Sequence, residues 1–180
     1  METRPYVSWK LIGEFMRTAF EAKGVPAEDA AVCAEILMES DRRGIESHGV
    51  NRFKPIYIDR IDAGILNPVT EFEIVRETPT TAVVDGHNGM GQVISKYAME
   101  MCIEKAKKCG VAFVAVRGSN HFGMASYFTR MALEHDMIGM CSTSPAAHLL
   151  APTGGVEPIL DNNPFSFAIP AGKEYPVVLD

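Results

Sequence analysis

Two histidines in polar, glycine-flanked stretches carry the chemistry this sequence offers most directly. His48 lies in Ser47-His48-Gly49-Val50-Asn51-Arg52, and His121 in Gly118-Ser119-Asn120-His121-Phe122-Gly123. Imidazole is the side chain best suited to exchanging a proton near neutral pH. Ser47, beside the first ring, can orient it or cap a turn. Arg52, four residues on, shares a face with His48 in any helical turn. Its planar fork grips a carboxylate through two hydrogen bonds, which an ammonium does not do. Such a set suits a substrate with a carbonyl next to a carboxylate: one group moves the proton and another clamps the anion. The competing reading makes Ser47 a helix cap, His48 and Arg52 a solvated face, and His121 a loop residue satisfied by its neighbours.

The remaining candidates carry less. His87, in Asp85-Gly86-His87-Asn88-Gly89, reads as a turn residue, and His135 and His148 have only surface or packing contexts. Gly86 to Gly91 is glycine-rich between a strand and a helix, but its first glycine gap does not match the Gly-x-Gly-x-x-Gly dinucleotide fingerprint. Thr153-Gly154-Gly155 and Asn162-Asn163-Pro164 form a second turn-forming cluster that shapes a pocket or simply turns the chain. Cys33, Cys102, Cys109 and Cys141 are scattered without a Cys-x-x-Cys pair, as expected of reduced thiols in a cytoplasmic protein. No two histidines or cysteines share the spacing of a zinc site.

The elements that must position these residues follow from periodicity. Ser8 caps a helix from Trp9 to about Lys23, with Leu11, Phe15, Ala19 and Phe20 near helical spacing and Gly24 as its stop. Pro26 opens a second helix to Arg43, with Ala30, Cys33, Ala34, Ile36 and Leu37 apolar and Glu28 and Asp29 suited to its positive end. Val50, Phe53, Ile56, Tyr57 and Ile61 predict a third helix ending at Gly64, with Pro55 in its first turn or kinking it. From Phe72 the period becomes two: Phe72–Val75 and Thr81–Asp85 read as strands, followed by a helix through Ile94, Ala98, Met101 and Lys105. Val111–Val116 is a continuous apolar run that fits a buried strand. A helix from about Ala125 to His135 and strands over Met137–Ser142 and Ser166–Ile169 complete the pattern. The expectation is a helical region over residues 1–67 and an α/β portion over residues 68–180, with the change near Asn67-Pro68.

The totals set bounds. With 180 residues, 47% of them apolar, the chain can bury a core for one or two domains. A net charge of -6 without a lysine- or arginine-rich stripe argues against nucleic acid as a partner. The first ten residues lack the apolar core of a signal peptide, and no run approaches the roughly 20 residues of a membrane span. The apolar terminal run Tyr175-Pro176-Val177-Val178-Leu179-Asp180 is expected to need a strand neighbour and a following connection, as in the first part of a longer polypeptide.

As a set, these segments resemble the malate/L-lactate dehydrogenase family that is distinct from the Rossmann-fold enzymes. That family includes ureidoglycolate, sulfolactate and diketogulonate reductases and cyclic ketimine reductases. The matching stretches are Ser47 to Arg52, Val84-Asp85-Gly86 with Gly89-Met90-Gly91, and Val116 to Gly123. Ala151-Pro152 with Gly154-Gly155, and Asn162-Asn163-Pro164-Phe165-Ser166-Phe167-Ala168-Ile169-Pro170, follow in order. The resemblance implies a non-Rossmann α/β cofactor-binding domain beginning after the helical region, an NAD- or NADP-dependent interconversion of a 2-hydroxy acid and its 2-oxo acid, and a homodimer. By the same resemblance, Ser47 and His48 are the proton-relay pair and Arg52 holds the substrate carboxylate. His121, Phe122 and Gly123 form a cofactor and active-site loop, with His121 an acid/base candidate, and Asn162 and Asp180 face the cofactor. Asp161 departs from the small residue expected before Asn162. A cyclic ketimine reductase suits the same histidine and arginine, and a non-catalytic binding or dimerisation fragment is the reading outside enzyme chemistry.

Overall fold

The computed structural model describes residues 6–144 and 149–180. His148 and the first five residues of the amino-terminal segment considered above lie outside the described residues. The chain forms two compact units, Met1–Met124 and Ala125–Asp180. Among the described residues, no helix is long and apolar enough to cross a membrane.

In the first unit, helix α1 spans Trp9–Ala22 and α2 spans Ala27–Arg42. Ser8 occupies the cap position of α1, but its side chain makes no capping bond. The Ser8 carbonyl instead accepts the Ile12 N–H at 3.0 Å. Pro26 sits one position before α2, where a residue without an N–H costs the helix nothing. Met16 and Phe20 of α1 and Cys33 and Leu37 of α2 join Phe53, Tyr57, Leu66 and Met90 in one apolar core. Phe20 meets Phe53 and Tyr57 edge-on, with ring centroids 5.0 and 6.0 Å apart.

The single third helix expected between Val50 and Gly64 is replaced by three kinds of turn. A 3-10 turn over Val50–Arg52 leads into a π-helical turn over Phe53–Ile58, and a short α-helix, α3, follows at Asp59–Asp62. Pro55 lies inside the wide turn. It has no N–H to offer an α-helix and its ring crowds the preceding turn, so a regular helix through this position is disfavoured. Phe53 and Tyr57 still reach the core from this irregular segment.

Strands β1 (Glu73–Glu77) and β2 (Thr81–Asp85) pair antiparallel, with an irregularity between Ile74 and Arg76. Helix α4, Gly91–Cys109, then carries the chain across to β3, Phe113–Arg117, which lies parallel to β2. The sheet order is β1-β2-β3, so β3 is an edge among the described residues. The apolar run at Val111–Val116 therefore does not form the buried strand its composition suggests. Phe113 is 67% exposed and Val111 is 69% exposed. A strand is buried on both faces only where other layers cover it, and composition cannot state whether they do.

The second unit contains α5 (Ala125–Met131), a 3-10 turn at Ala132–His135, and strands β4 (Gly139–Ser142), β5 (Phe165–Ile169) and β6 (Val177–Leu179). The three strands pair antiparallel in the order β4-β5-β6. Ser166 is fully buried, and its hydroxyl lies 3.1 Å from that of Thr129 on α5. The same hydroxyl donates to the Leu179 carbonyl at 2.8 Å, which ties the sheet to the helix through a paired polar group.

Candidate active site

The first histidine is held by a loop hung from the end of α2. Asp41 accepts the Val50 N–H at 2.8 Å. A Cβ on Gly49 would run into the Asp41 carboxylate, so this anchoring needs a residue without a side chain at 49. Burial raises the Asp41 carboxyl above its ordinary range; the Val50 N–H works against that and Glu46 adds to it. Gly49 also breaks the expected continuous helical face. His48 ends one 3-10 turn, Glu46–His48, and Arg52 ends the next, with Gly49 between them at φ -93° and ψ -146°.

The two residues are nonetheless organised together. Ser47 Oγ lies 2.9 Å from His48 Nδ1, which ties the ring to its neighbour in the chain. Arg52 Nε donates to the Ser47 carbonyl at 2.6 Å. That bond engages Nε, on one edge of the guanidinium.

His121 arrives from the segment after β3. A Cβ on Gly91, the first residue of α4, would strike the carbonyls of Asn120 and His121. The bare glycine lets the helix start directly against the loop. Asn120 fixes the loop further, its amide donating to the carbonyls of Asn88 and Gly89 at 3.0 and 3.1 Å. The His48 and His121 rings lie 5.5 Å apart, centroid to centroid, with planes inclined by 17°.

Tyr57 completes this group. Its hydroxyl lies 2.6 Å from His121 Nδ1, and the Gly123 N–H points at the same nitrogen from 3.4 Å. Tyr57 is fully buried, and burial pushes its phenol well above the usual range, so it retains its proton. With donors on Nδ1, the proton of a neutral His121 resides on Nε2. Burial, followed by the charges of His48, Arg52 and Arg60, lowers the His121 pKa to about 4. At neutral pH this ring is an uncharged donor.

The expected residues therefore divide into two sets. Ser47, His48, Arg52, His121 and Gly123 belong to one organised group in the first unit, with Phe122 half-buried beside His121. Asn162 and Asp180 belong to the second unit and are exposed. The Asp180 carboxylate accepts the Ser126 N–H at 2.7 Å. Asp161 organises its own turn: its carboxylate accepts the Asn162 N–H at 2.8 Å and its carbonyl accepts the Asn163 amide at 3.0 Å. An exposed amide and an exposed carboxylate are the donor and acceptor types that pair with a dinucleotide's carboxamide and ribose hydroxyls, so these residues fit such a group by chemistry.

Tyr57 and Asp41 were not singled out by motif or spacing. Tyr57 sits in an apolar stripe and reads as core; the one signal was a phenol, which needs a partner when buried. His87 behaves as the turn residue its context predicts, with φ +45° and its N–H bonded to Asp85 at 3.0 Å. A separate cleft of about 530 Å³ is lined by Glu77, Pro79, Lys105 and Cys109 among others and includes none of the site residues. Lys105 there is already bound to Glu77 at 2.7 Å and to the Thr78 carbonyl at 2.8 Å.

Comparison with known proteins places this geometry in context. A family model described as malate/L-lactate dehydrogenase matches residues 7–180. The chain is 49% identical over 157 residues to a malate dehydrogenase of Pyrococcus abyssi, covering 87% of this chain and 42% of that protein. It is 46% identical over 159 residues to an L-sulfolactate dehydrogenase of Methanocaldococcus jannaschii, covering 87% and 45%. A crystal structure of malate dehydrogenase from Entamoeba histolytica matches with a TM-score of 0.92 and 43% identity, covering 98% of this chain and 48% of that one. The chain thus spans less than half the length of each of these relatives.

Proposed function

Because this chain belongs to the malate/L-lactate dehydrogenase family, we propose that it supplies the acid–base and anion-binding groups of an oxidoreductase that interconverts a 2-hydroxy acid and its 2-oxo acid. The observation that carries this reading is the convergence of His48 and His121, 5.5 Å apart and nearly parallel, beside an arginine anchored to Ser47. A proton donor, a neutral hydrogen-bond donor and a fixed cation are what an oxo acid requires: one group for its carbonyl oxygen, one to orient it and one for its carboxylate.

In this reading Ser47 orients His48 through Nδ1, and the Nε2 proton of His48 goes to the carbonyl oxygen during reduction. Run backwards, the same nitrogen takes the proton of the hydroxyl. Arg52 binds the carboxylate end-on and thereby fixes which face of the carbonyl carbon is presented. His121, uncharged at neutral pH, donates from Nε2 to a ligand oxygen. When bound, a nicotinamide cofactor, NAD or NADP, supplies the hydride chemistry. Phe122, Gly123, Asn162 and Asp180 are the residues of this chain assigned to hold it. A homodimer and a cytoplasmic setting belong to the same proposal, the latter supported by four free cysteines.

The test is nicotinamide absorbance with purified protein, NADH or NADPH, and a panel of 2-oxo acids and cyclic imines. Oxidation of the cofactor by malate- or lactate-type oxo acids is the expected result. Turnover of cyclic imines alone would move the assignment to ketimine reduction. No turnover with either class, in a folded sample that also fails to bind both cofactors in calorimetry, would overturn the oxidoreductase reading.

A further inference from the structure

Tyr57 and His121 meet at 2.6 Å although 64 positions separate them, so their two segments must be held in register. The first segment runs from the π-helical turn through α3 to Leu66, which packs in the same core as Tyr57. The second is the loop after β3, residues 118–121. Asn88, in the turn between β2 and α4, bonds to both. Its N–H donates to the Gly118 carbonyl at 2.7 Å, and its carbonyl accepts the Asn67 N–H at 2.9 Å. Its side chain spans the same gap. The amide donates to the Ile65 carbonyl, and Oδ1 accepts from the Asn120 amide at 2.9 Å. The orientation of both amides follows from backbone oxygens, which can only accept. The Ile65 carbonyl requires the nitrogen of Asn88 on its side, and the carbonyls of Asn88 and Gly89 require the nitrogen of Asn120 on theirs.

We infer that Asn88 is a positioning residue for His121: one side chain fastens the segment that carries Tyr57 to the loop that carries the imidazole, and so sets their separation. The position asks for two things at once. Its φ is +61°, in the left-handed region that most L-residues avoid. Glycine and aspartate also enter that region, but glycine has no amide and aspartate has no donor for the Ile65 carbonyl. Of these three, asparagine alone combines the conformation, the donor and the acceptor. His48 and Arg52 are held otherwise, since their loop hangs from α2 through Asp41. Asn88 thus acts on one ring of the pair. The consequence for function rests on the oxidoreductase reading, in which His121 donates to a ligand oxygen and a small misplacement of the donor is costly.

Asn88→Gly removes the side chain while keeping the left-handed backbone and its bonds to Gly118 and Asn67. Asn88→Asp keeps an acceptor for Asn120 and loses the donor to Ile65. Both leave in place His48, Arg52, Arg60 and Tyr57, the charged and titratable groups that face His121. Proton–nitrogen correlation NMR of histidine-labelled protein reads the His121 titration without reference to turnover. Thr78→Ala, before the opposite end of β2, is the control for a general loss of stability, because it removes a hydroxyl that accepts the Thr81 N–H at 3.0 Å. In Asn88→Gly the His121 pKa should rise by about one unit toward the ordinary histidine range, as water reaches the ring. Asn88→Asp should give a smaller rise, and Thr78→Ala none. With an oxo acid, Asn88→Gly should lower kcat about tenfold with a smaller change in KM, because Arg52 stays anchored. A wild-type His121 titration in folded Asn88→Gly overturns the inference, as does an equal shift in Thr78→Ala. Should Asn88→Gly fail to fold, Asn88→Asp decides by the same titration, and a wild-type value there overturns the inference. A shifted titration in a protein that turns over no oxo acid would keep Asn88 in this role and sink the functional reading instead.

Discussion

The rings of His48 and His121 face each other at 5.5 Å, and burial, ahead of the charges of His48, Arg52 and Arg60, lowers the His121 pKa to about 4. In the proposed function the pair divides into a proton exchanger, His48, and a neutral donor, His121. Two facing cations at this distance would oppose each other, and His48 contributes to lowering the His121 pKa to about 4. His48→Ala should therefore have two effects. It should reduce kcat/KM with a 2-oxo acid by about 10²- to 10⁴-fold, the usual weight of a general acid. It should also raise the His121 pKa. Steady-state kinetics and histidine NMR check the two separately, and wild-type kinetics in the variant would remove His48 from the mechanism.

Arg52 is anchored to the loop that carries His48 and is the proposed carboxylate clamp. Its Nε bond to the Ser47 carbonyl pins the side chain, and in the proposed function its terminal nitrogens take the carboxylate. Arg52→Lys keeps the charge but loses the planar fork. The expected outcome is a KM for the oxo acid raised about tenfold or more, with a smaller change in kcat, as for a group that binds ground and transition states alike. A fall in kcat alone would point to a role in chemistry instead.

The depressed His121 pKa also links folding to pH. The unfolded chain takes up this proton near pH 6.5, whereas the folded site resists until about pH 4. Between those values the unfolded state binds more protons, so stability falls as the pH is lowered through that window and is fully present above it. At about 1.4 kcal/mol per pH unit, the loss is on the order of 3 kcal/mol. Urea denaturation of wild type and His121→Gln across this range should show a steeper decline in the wild type. Parallel curves would contradict the burial of a neutral ring.

Gly49 is the hinge on which the first histidine turns. Its missing Cβ is what admits the Asp41 carboxylate to the Val50 N–H. Gly49→Ala should cost about 1–3 kcal/mol of stability, the usual price of forcing extra volume into a filled space. Combining it with Asp41→Ala should cost less than the sum of the two, because the clash is then gone. Strict additivity in chemical denaturation would mean that the two residues do not compete for one space.

Much of this arrangement was legible in the amino-acid order. The two histidine motifs come together, and α1, α2, α4 and the β1–β2 hairpin follow the hydrophobic period and turn residues closely. What escaped was set by tertiary context. Tyr57 belongs to an apolar stripe, and nothing local says that its one polar atom meets a histidine 64 positions away. Gln92 is a polar residue near a helix start, where solvent exposure is the ordinary expectation, yet it is fully buried. Spacing put His48 and Arg52 on one helical face, whereas Gly49 separates them into two turns. The apolar content of β3 described its composition correctly and its burial wrongly, because burial depends on what lies against a strand.

The π-helical turn at Phe53–Ile58 imposes a rule on chain length as well as on residue type. Each residue of a regular helix advances the side chain about 100° around the axis. Deleting one position between Arg52 and Tyr57 would tighten this segment toward an ordinary helix and rotate the phenol out of phase with the imidazole it serves. An insertion would overshoot in the opposite sense. Within these six residues, the count of peptide units fixes where the Tyr57 hydroxyl meets His121 as firmly as the choice of side chain does.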